Sequence, residues 1–272
     1  MQPSACWRRV SACDMTKLHY LDPNPAGHPA VLLLHGLGAD ATSWTLQLPV
    51  LTGARFRPIA PDTPGFGQSP YDGRGWSIRR VAADMASLLE ELQTGPAHVV
   101  GLSMGGIIAQ QLALNYPHLT RRLVLVSTFA VLRPDTLSGW LYFAQRFILV
   151  NTLGLAAQAR VVAQRVFPGP HYGQLRKILV ETISRADPRA YRKAMASLGL
   201  FNSMKRLEEI KIPTLVVTGA DDTTVIPARQ RLLVDGIPAA RQVIVPDAGH
   251  AVPVEQADRF NGELLAFLLR SP

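Results

Sequence analysis

The 272-residue chain predicts an α/β fold: a doubly wound, mostly parallel sheet with a helical segment inserted near its middle. Three observations carry this. Short unbroken apolar runs end at turn residues: Ala30 to Leu34 before His35-Gly36-Leu37-Gly38, His98 to Leu102 before Ser103, and Thr214 to Thr218 before Gly219. Runs without polar alternation suit strands covered on both faces, as in a parallel sheet between helices. Helical periodicity fills the intervals between them, and strand–helix alternation is the mark of a doubly wound sheet. Finally, this rhythm lapses between Ala130 and Leu207, where no strand pattern is found.

Taken in order, Ala30 to Leu34 is the first clear strand. Ile78, Val81, Ala82, Met85, Leu88, Leu89 and Leu92 recur at helical spacing until Thr94-Gly95-Pro96 stops them. His98 to Leu102 is a strand, and Ile107 to Asn115 a helix ended near Pro117. Leu123 to Val126 is a strand closed by Ser127 and Thr128. The stretch 130–207 carries helical apolar spacing, as in Trp140, Leu141, Ala144, Phe147 and Ile148, broken by Pro134, Gly154, Pro168 to Pro170 and Pro188. Strands resume with Thr214 to Thr218 and Val243 to Val245, and Ala257 to Leu269 forms the last helix. The expected division is a core of 1–129 and 208–272 carrying a helical cap of 130–207.

Composition narrows the classes. With 47% hydrophobic and 18% charged residues the chain can bury a core, which excludes wholesale disorder. The longest apolar stretch, Leu137 to Val150, is broken by Gln145 and Arg146, so a membrane-spanning helix is not expected. The first residues lack the apolar core of a secretory signal. Two cysteines, Cys6 and Cys13, make no disulfide framework, and a reducing cytoplasm is the expected location.

The chemistry centres on Gly101-Leu102-Ser103-Met104-Gly105, a G-x-S-x-G sequence set between a strand and a helix. A serine on such a sharp turn needs small neighbours, and the following helix turns its positive end toward the hydroxyl. Serine is a weak nucleophile near neutral pH and needs a positioned base. Of seven histidines, His250 is the candidate, because Asp247-Ala248-Gly249-His250 follows a strand and precedes the last helix. His35 reads as a structural turn residue, while His98 and His118 flank strands without a chemical role. A carboxylate must orient the base. Asp221 and Asp222 follow the Thr214–Thr218 strand, and at most one of the two can face His250. The end of the preceding strand, Ser127 to Ala130, offers no carboxylate. Asp62 in Pro61-Asp62-Thr63-Pro64-Gly65-Phe66-Gly67-Gln68-Ser69 reads as a structural bond to loop amides. No C-x-x-C, H-E-x-x-H or glycine-rich phosphate loop is present, so neither metal nor nucleotide cofactor is expected.

Together, HGLG at 35–38, PDTPGFGQS at 61–69, GLSMGG at 101–106, GADD at 219–222 and Gly249-His250 resemble the α/β-hydrolase superfamily, in its capped esterase, lactonase and carbon–carbon-bond hydrolase group. The resemblance spans the chain except the cap and about the first fifteen residues. It implies Ser103 as nucleophile, His250 as base and Asp222 as acid, with backbone N–H groups of Leu37 and Met104 as the oxyanion hole. The implied reaction is carboxylic-ester hydrolysis through an acyl-enzyme, without a cofactor. An enol-lactonase, a hydrolase of ring-cleavage products, and a ligand receptor built on the same pocket share the pattern. Dehalogenase and epoxide-hydrolase relatives would need aspartate at 103.

The net charge of +8 comes from 23 arginines and 5 lysines against 20 acids. It is not evenly spread. The 130–207 stretch holds nine arginines and three lysines against Asp135, Glu181 and Asp187, an excess of +9, while the remainder has 16 basic and 17 acidic residues. No nucleic-acid partner is expected, since no recognition motif accompanies the charge. A solvated cap face accounts for it, or a positive field for an anionic substrate, an acidic partner or a membrane surface. The cap's aromatic residues Trp140, Phe143 and Phe147 are expected to roof the pocket. A monomer or dimer is expected.

Overall fold

The computed structural model of the protein describes residues 18–132 and 137–270; Cys6 and Cys13 lie outside them. Seven strands form one sheet: β1 (Tyr20–Leu21), β2 (Ala30–Leu34), β3 (Arg57–Pro61), β4 (Ala97–Leu102), β5 (Thr120–Val126), β6 (Thr214–Gly219) and β7 (Ala240–Val245). Their spatial order is β1-β3-β2-β4-β5-β6-β7, parallel except for β1 against β3.

The unbroken apolar runs have a direct explanation in the two cores. Leu32 and Leu34 of β2, Val99 of β4 and Leu125 of β5 face one layer. Val31, Leu33, Val100 and Val124 face the other. Successive strand side chains point to opposite faces, so a strand buried on both must be apolar throughout. The first layer receives α2 (Ile78–Glu91) and α3 (Met104–Asn115). The second is covered by α1 (Leu48–Gly53) and the C-terminal α10 (Ala257–Leu268), whose Phe260 lies against Trp44 at 6.4 Å.

β3 has no counterpart in the sequence reading. Its Arg57-Pro58-Ile59-Ala60-Pro61 carries two prolines, which normally argue against an interior strand. The structure accommodates Pro58 because β1 pairs only with Ala60 and Pro61. Pro58 therefore has no strand on its outer side.

From β2 the chain passes outward to β3 and then crosses back to β4 on the other side of β2. Such a reversal opens a crevice beyond the carboxyl ends of the two central strands, the usual ligand position in a doubly wound sheet. Gly36-Leu37 and Ser103 both emerge there.

Between β5 and β6 run α4 (Leu137–Thr152), α5 (Gly154–Val166), α6 (Gly173–Arg185) and α7 (Pro188–Leu200). The two ends of this stretch meet. Val131 and Asn202 form an isolated antiparallel bridge, and the Ser203 N–H donates to the Ala130 carbonyl at 2.9 Å. Helix α7 starts at Asp187, whose carboxylate caps it by accepting the N–H groups of Arg189 and Ala190. Tyr191 on α7 is fully buried against Phe66 of the core. After β6 come α8 (Pro227–Gly236) and the short α9 (Val252–Glu255).

His98, on β4, is 1% exposed, stacks edge-on against Phe56, and its Nδ1 has no partner among the described residues. Burial, then the charges of Arg121 and Arg122, push its pKa down to about 4. The unfolded chain thus holds more protons than the folded one between that value and about 6.5. Stability from neutral His98 is complete above about pH 6.5 and is lost as pH falls toward 4, a swing of up to about 3 kcal/mol. Urea-unfolding midpoints measured from pH 7 to pH 4 should show this fall, and His98→Leu should flatten it. An identical slope in the variant would contradict the assignment.

Candidate active site

The turn between β4 and α3 holds one residue, Ser103, at φ 53° and ψ −110°. A side-chain-bearing residue is strained there and stays only if its surroundings hold it. Three bonds do so. Its N–H donates to the Val126 carbonyl at 2.9 Å, and its own carbonyl accepts the Gly106 N–H at 2.9 Å and the Thr128 hydroxyl at 2.7 Å. The motif glycines answer to close approach: a Cβ at Gly101 would lie 2.3 Å from the Gly105 carbonyl oxygen, and one at Gly105 would lie 2.0 Å from that of Leu34. Met104 opens α3, so its amide is among the first-turn donors without a helical partner.

The other wall is the loop after β2. His35 is fully buried. Its Nε2 accepts the Thr63 N–H at 3.0 Å, and its Nδ1 donates to the Gly36 carbonyl at 2.8 Å. Burial holds its pKa below the ordinary histidine value, so it sits as a neutral tether. Asp62 accepts the N–H groups of Ala41 (2.7 Å) and Gln68 (2.8 Å) and binds His19 Nδ1 at 2.7 Å. It joins the loops after β2 and β3 and so fixes where Leu37 lies.

His250 follows β7, 8% exposed, with its Nδ1 3.0 Å from Asp222 Oδ2. Of the two adjacent aspartates it is Asp222 that faces the imidazole. The Asp221 side chain is exposed, its N–H spent on the Ala248 carbonyl. Asp222 is 2% exposed and well supplied with donors. Oδ1 accepts the amides of Thr224 (2.8 Å) and Val225 (2.9 Å), and Oδ2 accepts Gln230 Nε2 at 3.1 Å as well as the imidazole. Gln230 is itself fixed, donating to the Val225 carbonyl and accepting the Thr218 hydroxyl at 2.9 Å. A glutamine among the polar residues of α8 carries no sequence signal; only the fold turns it toward Asp222.

Ser103, His250 and Leu37 border one cavity of about 630 Å³. Its far side comes from the helices between β5 and β6, with Val162, Phe167, Leu175 and Leu179 giving an apolar wall. Arg146, Arg165 and Arg229 also border it. Arg146 donates to the Tyr191 hydroxyl at 3.4 Å and Arg165 to the Thr223 carbonyl.

The expected aromatic roof takes a different form. Trp140 and Phe147 are 60% and 61% exposed and do not border the cavity. Helix α4 is phased so that Gly139, Arg146 and Val150 turn inward, leaving Trp140, Leu141, Phe147 and Ile148 outside. The Phe143 side chain lies outside those described. Phe167, after α5, is the aromatic residue of this stretch that does border the cavity. Among the described residues no cluster of three or more His, Cys, Asp or Glu side chains could hold a metal, and no helix is long and apolar enough to cross a membrane.

Residues 31–263 match the model of the alpha/beta hydrolase family. The chain belongs to that family. The hydrolase is 34% identical over 261 residues to a Variovorax paradoxus protein named "Putative carbamate hydrolase RutD", covering 93% of this chain and 96% of that one. Among solved structures it is similar to the enol-lactonase of Burkholderia xenovorans LB400 (TM-score 0.86, 27% identity, 96% of this chain and 99% of that one). It is also similar to a thermophilic esterase of Thermogutta terrifontis (TM-score 0.81, 29% identity, 92% of each chain).

Proposed function

We propose that the hydrolase cleaves carboxylic esters through Ser103, His250 and Asp222, with residues 130–207 acting as a cap that selects the substrate. The observation that carries this reading is the His250–Asp222 bond at the floor of the cavity that Ser103 also borders. With Nδ1 committed to Asp222, Nε2 is the basic nitrogen. It takes the Ser103 proton as Oγ attacks the acyl carbon. The negative charge that forms on the carbonyl oxygen is met by the N–H groups of Leu37 and Met104. Collapse expels the alcohol, which takes its proton from His250 and leaves an acyl-serine. Water then loses a proton to His250 and attacks, so the acid departs and Ser103 recovers its hydrogen. Asp222 holds the tautomer and offsets the imidazolium charge throughout.

The apolar wall supports an acyl group of several carbons. An enol-lactone is the second reading, favoured by the likeness to the Burkholderia enol-lactonase along 96% of the chain. The test is a p-nitrophenyl ester series from acetate to decanoate, run beside a lactone and an aryl carbamate. Turnover rising to a maximum at four to eight carbons, about tenfold above acetate, is expected. Faster turnover of the lactone would transfer the assignment to lactones, and no turnover of any ester would refute it. Raising salt should slow an ester with a free carboxylate more than a neutral one if the arginine-bordered wall attracts anions.

A further inference from the structure

Glu255, at the end of α9, lies outside the proposed triad yet holds the loop that carries the base. Its Oε2 accepts the Gly249 N–H at 2.6 Å and its Oε1 accepts the Ala251 N–H at 2.8 Å. One carboxylate therefore grips the amide on each side of His250. A helix cap would need only the Ala251 amide; the second belongs to the residue on the other side of the base. The approach is close enough that a Cβ on Gly249 would stand 3.0 Å from Oε2. The same carboxylate faces the helical stretch between β5 and β6. Tyr172, just before α6, packs against the small cluster that contains Ala251, and burial and then the nearby Glu255 carboxylate hold its phenol above the ordinary pKa. Ala251 and Val254 pack with Val166, Phe167, Tyr172 and Leu175 in a small apolar cluster of their own.

We infer that Glu255 is a positioning residue for His250, and that through Tyr172 it makes the seating of the helical stretch felt at the base. This rests on His250 being the base for Ser103. The backbone on both sides of the imidazole is pinned by a single side chain. Releasing it lets the ring drift, and drift of about 1 Å from a reactive geometry costs on the order of a hundredfold in rate. No side chain of the apolar wall is removed by the substitution, so the loss is expected to fall chiefly on kcat.

The test uses Glu255→Ala, Glu255→Gln, Tyr172→Phe and the double variant Tyr172→Phe/Glu255→Ala, each assayed on the best ester of the series and normalised to folded protein by circular dichroism. For Glu255→Ala, kcat should fall about thirty- to a hundredfold with KM within about twofold. Glu255→Gln should fall between, because its carboxamide oxygen can accept one of the two amides and its NH2 neither. Tyr172→Phe should lower kcat a few-fold in the wild-type background and not at all when Glu255 is already alanine. Independently of turnover, the proton NMR signal of His250 Nδ1–H, held by Asp222 in the wild type, should broaden or vanish in Glu255→Ala. Wild-type kcat per folded molecule, a loss confined to KM, or an unchanged Nδ1–H signal would overturn the positioning role. Additive effects of the two variants would overturn the link to Tyr172. If Ser103→Ala kept full activity, the triad itself would fail, while the NMR arm would still decide whether Glu255 orders the imidazole.

Discussion

Ser103→Ala should lower kcat for ester hydrolysis by on the order of 10⁴-fold or more, with the fold intact. The size follows from what is removed: alanine offers no oxygen to form the acyl intermediate, so only activation of water by the remaining groups survives. The fold should persist because the strain at φ 53° comes from having a Cβ at all, which serine and alanine share. The bonds that hold the turn use the backbone of residue 103 and the Thr128 hydroxyl, and none uses its Oγ. Steady-state kinetics with a melting curve for each protein checks both halves. Turnover within tenfold of wild type would remove Ser103 from the mechanism, while a large drop in Tm would show the hydroxyl to be structural.

Asp222→Asn should cost about 10⁴-fold in kcat, against less than twofold for Asp221→Asn. The asymmetry is written in hydrogen bonds. Oδ1 of Asp222 accepts two backbone amides that cannot rearrange, so an asparagine must keep its oxygen there. Its NH2 then occupies the Oδ2 position, where it faces Gln230 Nε2 and His250 Nδ1, both donors in the native site. The imidazole can answer only by moving its proton to Nε2, which deprives Ser103 of its base. Asp221 contributes only its backbone to this region, and its side chain lies in solvent. Equal losses in the two variants would mean that the loop rather than the carboxylate matters. Parallel pH profiles of kcat/KM for both would expose that outcome.

Much of this site is visible in one dimension because the turn after β4 and the loop after β7 depend on local geometry. Gly101 and Gly105 are required because a Cβ there would fall 2.3 and 2.0 Å from backbone oxygens, and such needs leave a fixed local pattern around Ser103. The strands are legible for a related reason: β2 serves two cores at once, so every residue from Ala30 to Leu34 is apolar. What depends on relations between distant segments is not legible. Nothing in Gly219-Ala220-Asp221-Asp222 alone says which carboxylate turns inward; the Ala248 carbonyl decides it by taking the Asp221 amide. Gln230 and Glu255 look like ordinary polar residues until the fold brings their partners to them. β3 is hidden because it carries two prolines, and Pro58 is tolerated only because so short a β1 does not reach it. The phase of α4 escapes as well. Trp140, Leu141, Phe147 and Ile148 lie on an exposed face while Arg146 turns inward, the reverse of what hydrophobicity alone suggests.

The meeting of the two ends of the helical stretch, at Val131 and Asn202, has a consequence for how such a protein changes over time. A segment that leaves and rejoins its host at adjoining points can be lengthened, shortened or exchanged without displacing the strands that carry Ser103, Asp222 and His250. Nearly all of the chain's excess of positive charge, seven of eight, resides within that detachable piece. On the proposed reading, substrate preference and bond-breaking machinery are therefore separately heritable, and a new preference can be acquired by replacing a module rather than by rebuilding the enzyme.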